Sequence, residues 1–266
     1  MQGYTYYNDN DAYCCKVLRK NIRNGNLPEG YIDERDIRDV RASDLVGYQH
    51  IHLFAGIGGF PLGFRTFPKH ISLITGGFPC QDISQANQYN PTGLDGERSG
   101  LWSEYHRLIC EIRPEYIVVE NVAALLYRGF GTVLADLARS GYDAEWRVFR
   151  ACDFGLPHRR RRVFIVAYPT GKRRVCILKS PSTTYKQDTF YQRKQRHTQK
   201  SKVVSLRHVL SQAESMLSES SVCRMDDGIP PWMERRLRGL GNALVPLIAQ
   251  YIAACIMAYE QEREAA

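Results

Sequence analysis

Apolar residues recur along the chain in short blocks with two different periods. Residues 12–21 place Cys14, Val17 and Leu18 on one stripe, which predicts a short amphipathic helix. Asn24-Gly25-Asn26 and Pro28-Glu29-Gly30 end it. Ile51–Phe54 is a short apolar run closed by a glycine-rich turn, and Ile71–Thr75 is a second run that also meets glycines. Both predict strands. Residues 102–112 and 131–140 are helical in pattern. Tyr116–Val119 is continuously apolar, as a strand buried on both faces of a parallel sheet requires. Residues 144–150 and 162–168 predict two more strands, whereas 81–100 form a polar stretch with no period. Alternating strands and helices predict an α/β fold around a mostly parallel sheet. Beyond Tyr168 the texture changes. Residues 169–202 are polar and basic, and only Cys176–Leu178 and Thr189–Tyr191 could form short strands. A weak helical pattern covers 203–219, a long apolar helix is expected over 243–258 with Pro246 in its first turn, and the tail from Glu260 is expected to fray.

Charge sharpens this division. The 266 residues carry 36 Lys and Arg against 28 Asp and Glu. Fifteen of the basic residues and one acid, Asp188, lie between Pro157 and Arg207, so a slightly acidic body carries one basic stretch of net +14. That is the footprint of a nucleic-acid binder, with a solvated surface loop as the plainer alternative. With 44% hydrophobic residues the chain can fill a core, which excludes a wholly disordered chain. No window approaches the ~18 apolar residues of a membrane span, and Met1–Tyr7 does not read as a secretory signal. The eight cysteines lack metal spacing and read as reduced thiols of a cytoplasmic protein, so no metal site is expected.

Four motifs carry chemistry. Phe54-Ala55-Gly56-Ile57-Gly58-Gly59 leaves a strand as a glycine turn, where a ligand can approach the backbone or the chain can simply reverse. Gly76-Gly77-Phe78-Pro79-Cys80-Gln81 sets a cysteine at the carboxyl edge of a strand, as a nucleophile or as a buried structural thiol. Glu120-Asn121-Val122 ends the next strand. A carboxylate there is costly to bury, so it suits an acid with a raised pKa, or a strand-end cap. In Pro157-His158-Arg159-Arg160-Arg161-Arg162, Arg160 and Arg162 would share one strand face and suit an anion or a carbonyl oxygen.

In order and wording these motifs resemble the cytosine-5 DNA methyltransferase family. Gly241-Asn242-Ala243-Leu244-Val245-Pro246 and Gly96–Trp102 extend the resemblance, which covers roughly 50–168 and 225–258. It implies a Rossmann-like, doubly wound sheet that uses S-adenosylmethionine. Cys80 would be the nucleophile and Glu120 the acid, with Arg162 on the base's exocyclic oxygen and Arg160 in support. Phe54, Gly56, Ile57, Gly58, Pro79, Leu101 and Asn242 would line the cofactor site, and Gln81, Ser84, Arg98 and Asn121 the substrate side. His158 stands where the family commonly has Gln.

One departure reorganises the fold. Only nineteen residues, Phe60 to Phe78, separate the glycine turn from the Pro-Cys motif, too few for the two cofactor segments the family places there. Asn8-Asp9-Asn10-Asp11-Ala12-Tyr13 resembles the family's Asn-Glu-x-Asp-x-Tyr, and Arg35-Asp36-Ile37 its Gly-Asp-Ile. The resemblance therefore implies transposed segments within 1–49, with Asp9 and Asn10 at the ribose and Asp36 and Ile37 at the adenine. Residues 1–168 and 230–266 would form the catalytic domain and 169–229 the target-recognition region. The implied partner is double-stranded DNA, methylated by a monomer, with a restriction endonuclease acting separately. A tRNA cytosine-5 methyltransferase, an inactive binding relative and a nicotinamide-linked oxidoreductase are the rival readings.

Overall fold

The computed structural model describes residues 4–79, 101–156, 158–171, 177–178 and 244–264. Seven strands form one sheet: β1 (Thr5–Asn8), β2 (Gly30–Asp33), β3 (His50–Leu53), β4 (Leu73–Gly76), β5 (Tyr116–Val122), β6 (Tyr142–Arg150) and β7 (Arg161–Pro169). Their spatial order is β2-β1-β3-β4-β5-β7-β6. The five strands from β2 to β5 are mutually parallel, and β7 runs antiparallel to both its neighbours.

The apolar run of β5 shows why the sheet is buried on both sides. With a strand period of two, Ile117 and Val119 face one way and Tyr116 and Val118 the other. The first pair joins Leu53, Ile74, Val163 and Ile165 beneath α3 (Leu101–Ile112) and α4 (Phe130–Arg139). The second pair joins Leu73, Phe164 and Val166 beneath α2 (Gly59–Gly63) and α5 (Pro246–Glu264). A smaller cluster of Tyr7, Leu18, Leu27 and Ala55 seats α1 (Ala12–Arg23). Asp11 starts α1 by accepting from the Tyr13 and Cys14 amides, and Lys20 and Arg23 suit its carboxyl end.

The expected helices and central strands are present, with differences at their ends. The second predicted strand starts two residues later, at Leu73. Of the possible strand at 176–178, Ile177 lies in a bend and Leu178 in irregular chain, and Cys176 lies outside the described residues. Where fraying is expected from Glu260, α5 instead continues to Glu264; 265–266 lie outside the described residues. Glu260 is buried there, receives the Tyr116 hydroxyl and pairs with Arg263 at 2.6 Å. Two strands, β1 and β2, are too short to show a period. β1 lies parallel between β2 and β3. Of residues 169–229, expected to recognise the target, 169–171 and 177–178 are described; the possible strand at 189–191 and the weak helix at 203–219 lie outside the described residues.

Candidate active site

The carboxyl ends of β1, β3, β4 and β5 meet along one edge, and the chemistry-bearing residues lie on the turns that leave them. Asn8, at the end of β1, donates its amide to the Asp33 and Arg35 carbonyls at 3.3 and 2.9 Å, which joins the β1 and β2 ends. Asp9 follows. Its Oδ2 accepts the Gly56 amide at 2.7 Å and its Oδ1 accepts the Asp11 amide at 2.9 Å. A residue 47 positions away in sequence is thereby tied to the glycine turn. Burial pushes the Asp9 carboxyl up from its ordinary value, and the two amide donors pull it back. Each carboxylate oxygen still has a lone pair to offer a ligand hydroxyl.

The turn itself is unusual backbone. Phe54 has φ +49°, rare for a residue with a side chain, and Gly56 and Gly58 follow at +56° and +98°. Strain of this kind concentrates where a backbone meets a ligand. The Phe54 ring stacks on Tyr105 at 6.4 Å. Phe54 and Leu101 pack on the cluster that contains Ile37. Asp36 caps the 3-10 turn Ile37–Asp39 by accepting the Arg38 amide, and its other oxygen accepts from Asn10 at 3.4 Å. Thus Asp9 is tied to Gly56 and Asn10 to Asp36, while Ile37, Phe54 and Leu101 share one apolar cluster. Ile57 and Gly58 complete the same turn.

The second half of the site lies one strand further. Glu120, near the end of β5, sits 2.9 Å from the Arg162 Nε, with side-chain exposures of 12% and 20%. Burial raises the Glu120 pKa, while Arg162 and Arg160 act against that shift. A carboxyl so placed can hold a proton at a pH where a free one would not. Gly77 makes room for it: a Cβ on Gly77 would lie 2.7 Å from Glu120 Oε2. Asn121 is 2% exposed, donates to the Phe78 carbonyl at 3.1 Å and accepts the Val122 amide. It therefore holds the backbone one residue before Pro79 and two before Cys80. Arg160 is half-buried, and its amide donates to His158 Nδ1 at 3.4 Å. Burial and Arg160 lower the His158 pKa, which favours the neutral ring that can accept that bond. Cys80, Gln81, Ser84, Arg98 and Asn242 lie outside the described residues.

Some residues that shape the site carried no motif. Asp33 is buried, takes the Tyr6 hydroxyl at 2.6 Å and pairs with Arg35 at 2.6 Å, which locks the end of β2. Arg107 of α3 donates to the Val40 and Ile37 carbonyls at 2.8 and 3.3 Å. Trp102 packs on Phe78 and donates to Asp136 at 2.9 Å. Each acts between distant segments, so no local spacing announces it. Among the described residues no group of three or more His, Cys, Asp or Glu could hold a metal ion, and no helix is long and apolar enough to cross a membrane.

Comparison with known proteins follows this geometry. The profile of the C-5 cytosine-specific DNA methylases matches residues 64–226. Type II methyltransferase M.Sau3AI of Staphylococcus aureus is 42% identical over 104 residues, 36% of this chain and 25% of that protein. Type II methyltransferase M1.ScrFI of Lactococcus lactis subsp. cremoris is 33% identical over 164 residues, 46% of this chain and 41% of its own length. The chain thus matches from a quarter to two fifths of these relatives. The solved Entamoeba histolytica methyltransferase EhMeth aligns with a TM-score of 0.46 at 15% identity, covering 64% of this chain and 47% of that one. The fold assignment rests on the sheet order and not on that likeness.

Proposed function

The chain belongs to the C-5 cytosine-specific DNA methylase family, and from that premise we propose that it transfers a methyl group from S-adenosylmethionine to carbon 5 of cytosine in double-stranded DNA. The observation that carries the proposal is the Glu120–Arg162 pair, buried at the end of β5 and in contact with Gly77, three residues before Cys80. A nicotinamide-linked oxidoreductase would use the glycine turn but leave this pair without work.

The residues fit the cofactor. The acceptors Asp9 and Asp36 suit ribose hydroxyls and an adenine amino group, and Phe54, Ile37 and Leu101 suit the ring. When bound, S-adenosylmethionine supplies an electrophilic methyl group. The chain's own part concerns the base. Carbon 5 of cytosine is a weak nucleophile, and duplex stacking hides it, so the base must leave the helix. The Cys80 thiolate adds to carbon 6, which makes carbon 5 enamine-like. Glu120, whose pKa burial raises against the pull of Arg162 and Arg160, donates a proton to ring nitrogen 3 as negative charge develops there. Arg162 holds the exocyclic oxygen and Arg160 supports it. Asn121 fixes the base of the Pro-Cys segment through Phe78. Loss of the carbon-5 proton and elimination of Cys80 release the product. Residues 169–229 would recognise the target, with Gln81, Ser84 and Arg98 on the substrate side and Asn242 bracing the cofactor side. Protection against a separate restriction endonuclease would fit the Type II relatives.

Cys80→Ala should abolish transfer of labelled methyl groups to duplex DNA while cofactor affinity stays within about twofold, less than the ~0.6 kcal/mol scale of thermal energy. DNA carrying 5-fluorocytosine should trap a gel-stable adduct on wild type, because fluorine cannot leave as a cation. Turnover by the Cys80→Ala chain within tenfold of wild type would end the covalent mechanism, and labelling of tRNA in place of DNA would move the substrate.

A further inference from the structure

Glu145 lies on β6, away from every motif above, yet three donors converge on it. The Tyr168 hydroxyl donates to Oε1 at 3.0 Å. The amides of two successive residues follow, Ile177 to Oε1 at 3.0 Å and Leu178 to Oε2 at 3.1 Å. Ile177 and Leu178 are themselves 2% and 1% exposed and join the cluster beneath α5. A buried apolar pair would hold this point of the chain by itself, but loosely in register. Two consecutive amides held by the two oxygens of one carboxylate also fix the direction of the backbone.

The position of that grip is informative. Lys172, Arg173 and Arg174 precede it in sequence and Lys179 follows it, so it falls within the stretch of net +14. Glu145 is paired with Val166 of β7, and Arg162 lies four residues along the same strand, a distance of about 14 Å at ~3.4 Å per residue. A segment that recognises DNA must hold a constant offset from the group that binds the flipped base.

We propose that Glu145 is a positioning residue for nucleic-acid recognition, its carboxylate fixing the root of the basic segment on the sheet at a set distance from Arg162. The proposal rests on the DNA methyltransferase reading and deepens it. Glu145 belongs to none of the motifs assigned to the cofactor or the base; its removal frees the Ile177 and Leu178 amides and, on the sheet, the Tyr168 hydroxyl. The Glu145→Gln side chain keeps a single acceptor oxygen and should show an intermediate effect.

Two readouts test it on the full chain. Trypsin should cut after Arg174 and Lys179 about tenfold faster in Glu145→Ala than in wild type, with cleavage of the sheet region unchanged. In methyl transfer to duplex DNA, KM for DNA should rise about tenfold, equivalent to 1.4 kcal/mol. Preference for the wild-type target sequence should weaken, while kcat and cofactor affinity stay within about twofold. Unchanged tryptic rates, or an unchanged KM for DNA, would overturn the anchor. So would a fall in cofactor affinity and Tm that accounts for the whole effect, since that marks a merely structural residue. If wild type transfers no methyl group to DNA, the functional reading fails and the anchor falls with it; normal wild-type transfer with an unaltered Glu145→Ala chain sinks the anchor alone.

Discussion

At the scale of the residue, the proposed chemistry turns on the protonation of one carboxyl. Burial holds Glu120 above the ordinary glutamate value of about 4.3, so the folded chain keeps this proton to higher pH than the unfolded chain does. The stability linked to it is complete below the unfolded value and is lost as pH rises through the folded one. Asp9 is shifted the same way and adds to that slope. Buried His50 and His52 are shifted down, so their linked stability is lost as pH falls below about 6.5. Glu120→Gln should therefore gain in Tm relative to wild type as pH is raised from about 4 to about 7. It should also lose ~10²- to 10⁴-fold in turnover, the range of a general acid. A Tm difference independent of pH would show that Glu120 titrates alike in both states. That a carboxylate at a strand end needs a purpose was legible in Glu120-Asn121-Val122. Its partner was nameable only through the motif at Arg162, 42 residues later, and the space made by Gly77 needed coordinates.

At the scale of the element, the sheet joins segments that sequence keeps apart. The long apolar runs of β5 and β7 declare themselves because both faces of each are covered. The four-residue strands β1 and β2 are too short for a period, and only the Asn8–Tyr13 and Arg35–Ile37 motifs drew attention to these segments. The antiparallel run of β7 against β5 and β6 left no local mark, because strand direction is set by the pairing partner. Nor did the clamp between α3 and the 3-10 turn. There Arg107 donates to the Ile37 and Val40 carbonyls and pairs with Glu104 at 2.8 Å. The clamp fixes the turn that carries Asp36, and α3 begins at Leu101, where the 81–100 stretch ends. Hydrogen bonds from a charged donor contribute ~1.5–3 kcal/mol, of which the solvated part of this half-exposed side chain is discounted. Arg107→Leu should weaken S-adenosylmethionine binding about tenfold in calorimetry, the lower end of that range at 1.4 kcal/mol per decade, and leave DNA affinity within about twofold. Equal loss of both affinities would mean that α3 itself has shifted.

At the scale of the whole molecule, charge and topology divide the labour. The strands from β2 to β5, whose order gathers the motifs at one edge, and β6 belong to the slightly acidic body. The basic stretch begins just before β7, includes Arg160 ahead of that strand and Arg162 within it, and runs on to Arg207. Composition made this asymmetry legible without any structure, because electrostatics acts at long range and needs no register. The side chains that read individual bases were not legible, since base readout depends on which groove edge each group meets. If the basic stretch tracks the phosphate backbone, binding must release counterions. Six to ten phosphate contacts give a slope of log K against log salt of about −5 to −9, a loss of ~10³ to 10⁵ in affinity between ~50 and ~200 mM salt. Replacing Arg193, Lys194 and Arg196 together by Gln should make that slope about three units shallower at ~0.9 per phosphate contact. Cofactor affinity should not change, because Asp9, Asp36 and Phe54 belong to the body. Fluorescence anisotropy on one duplex across a salt series would measure both chains. A wild-type slope flatter than about −2 would leave fewer than about three phosphates neutralised, so the stretch of net +14 would be a solvated surface and not the DNA-binding element.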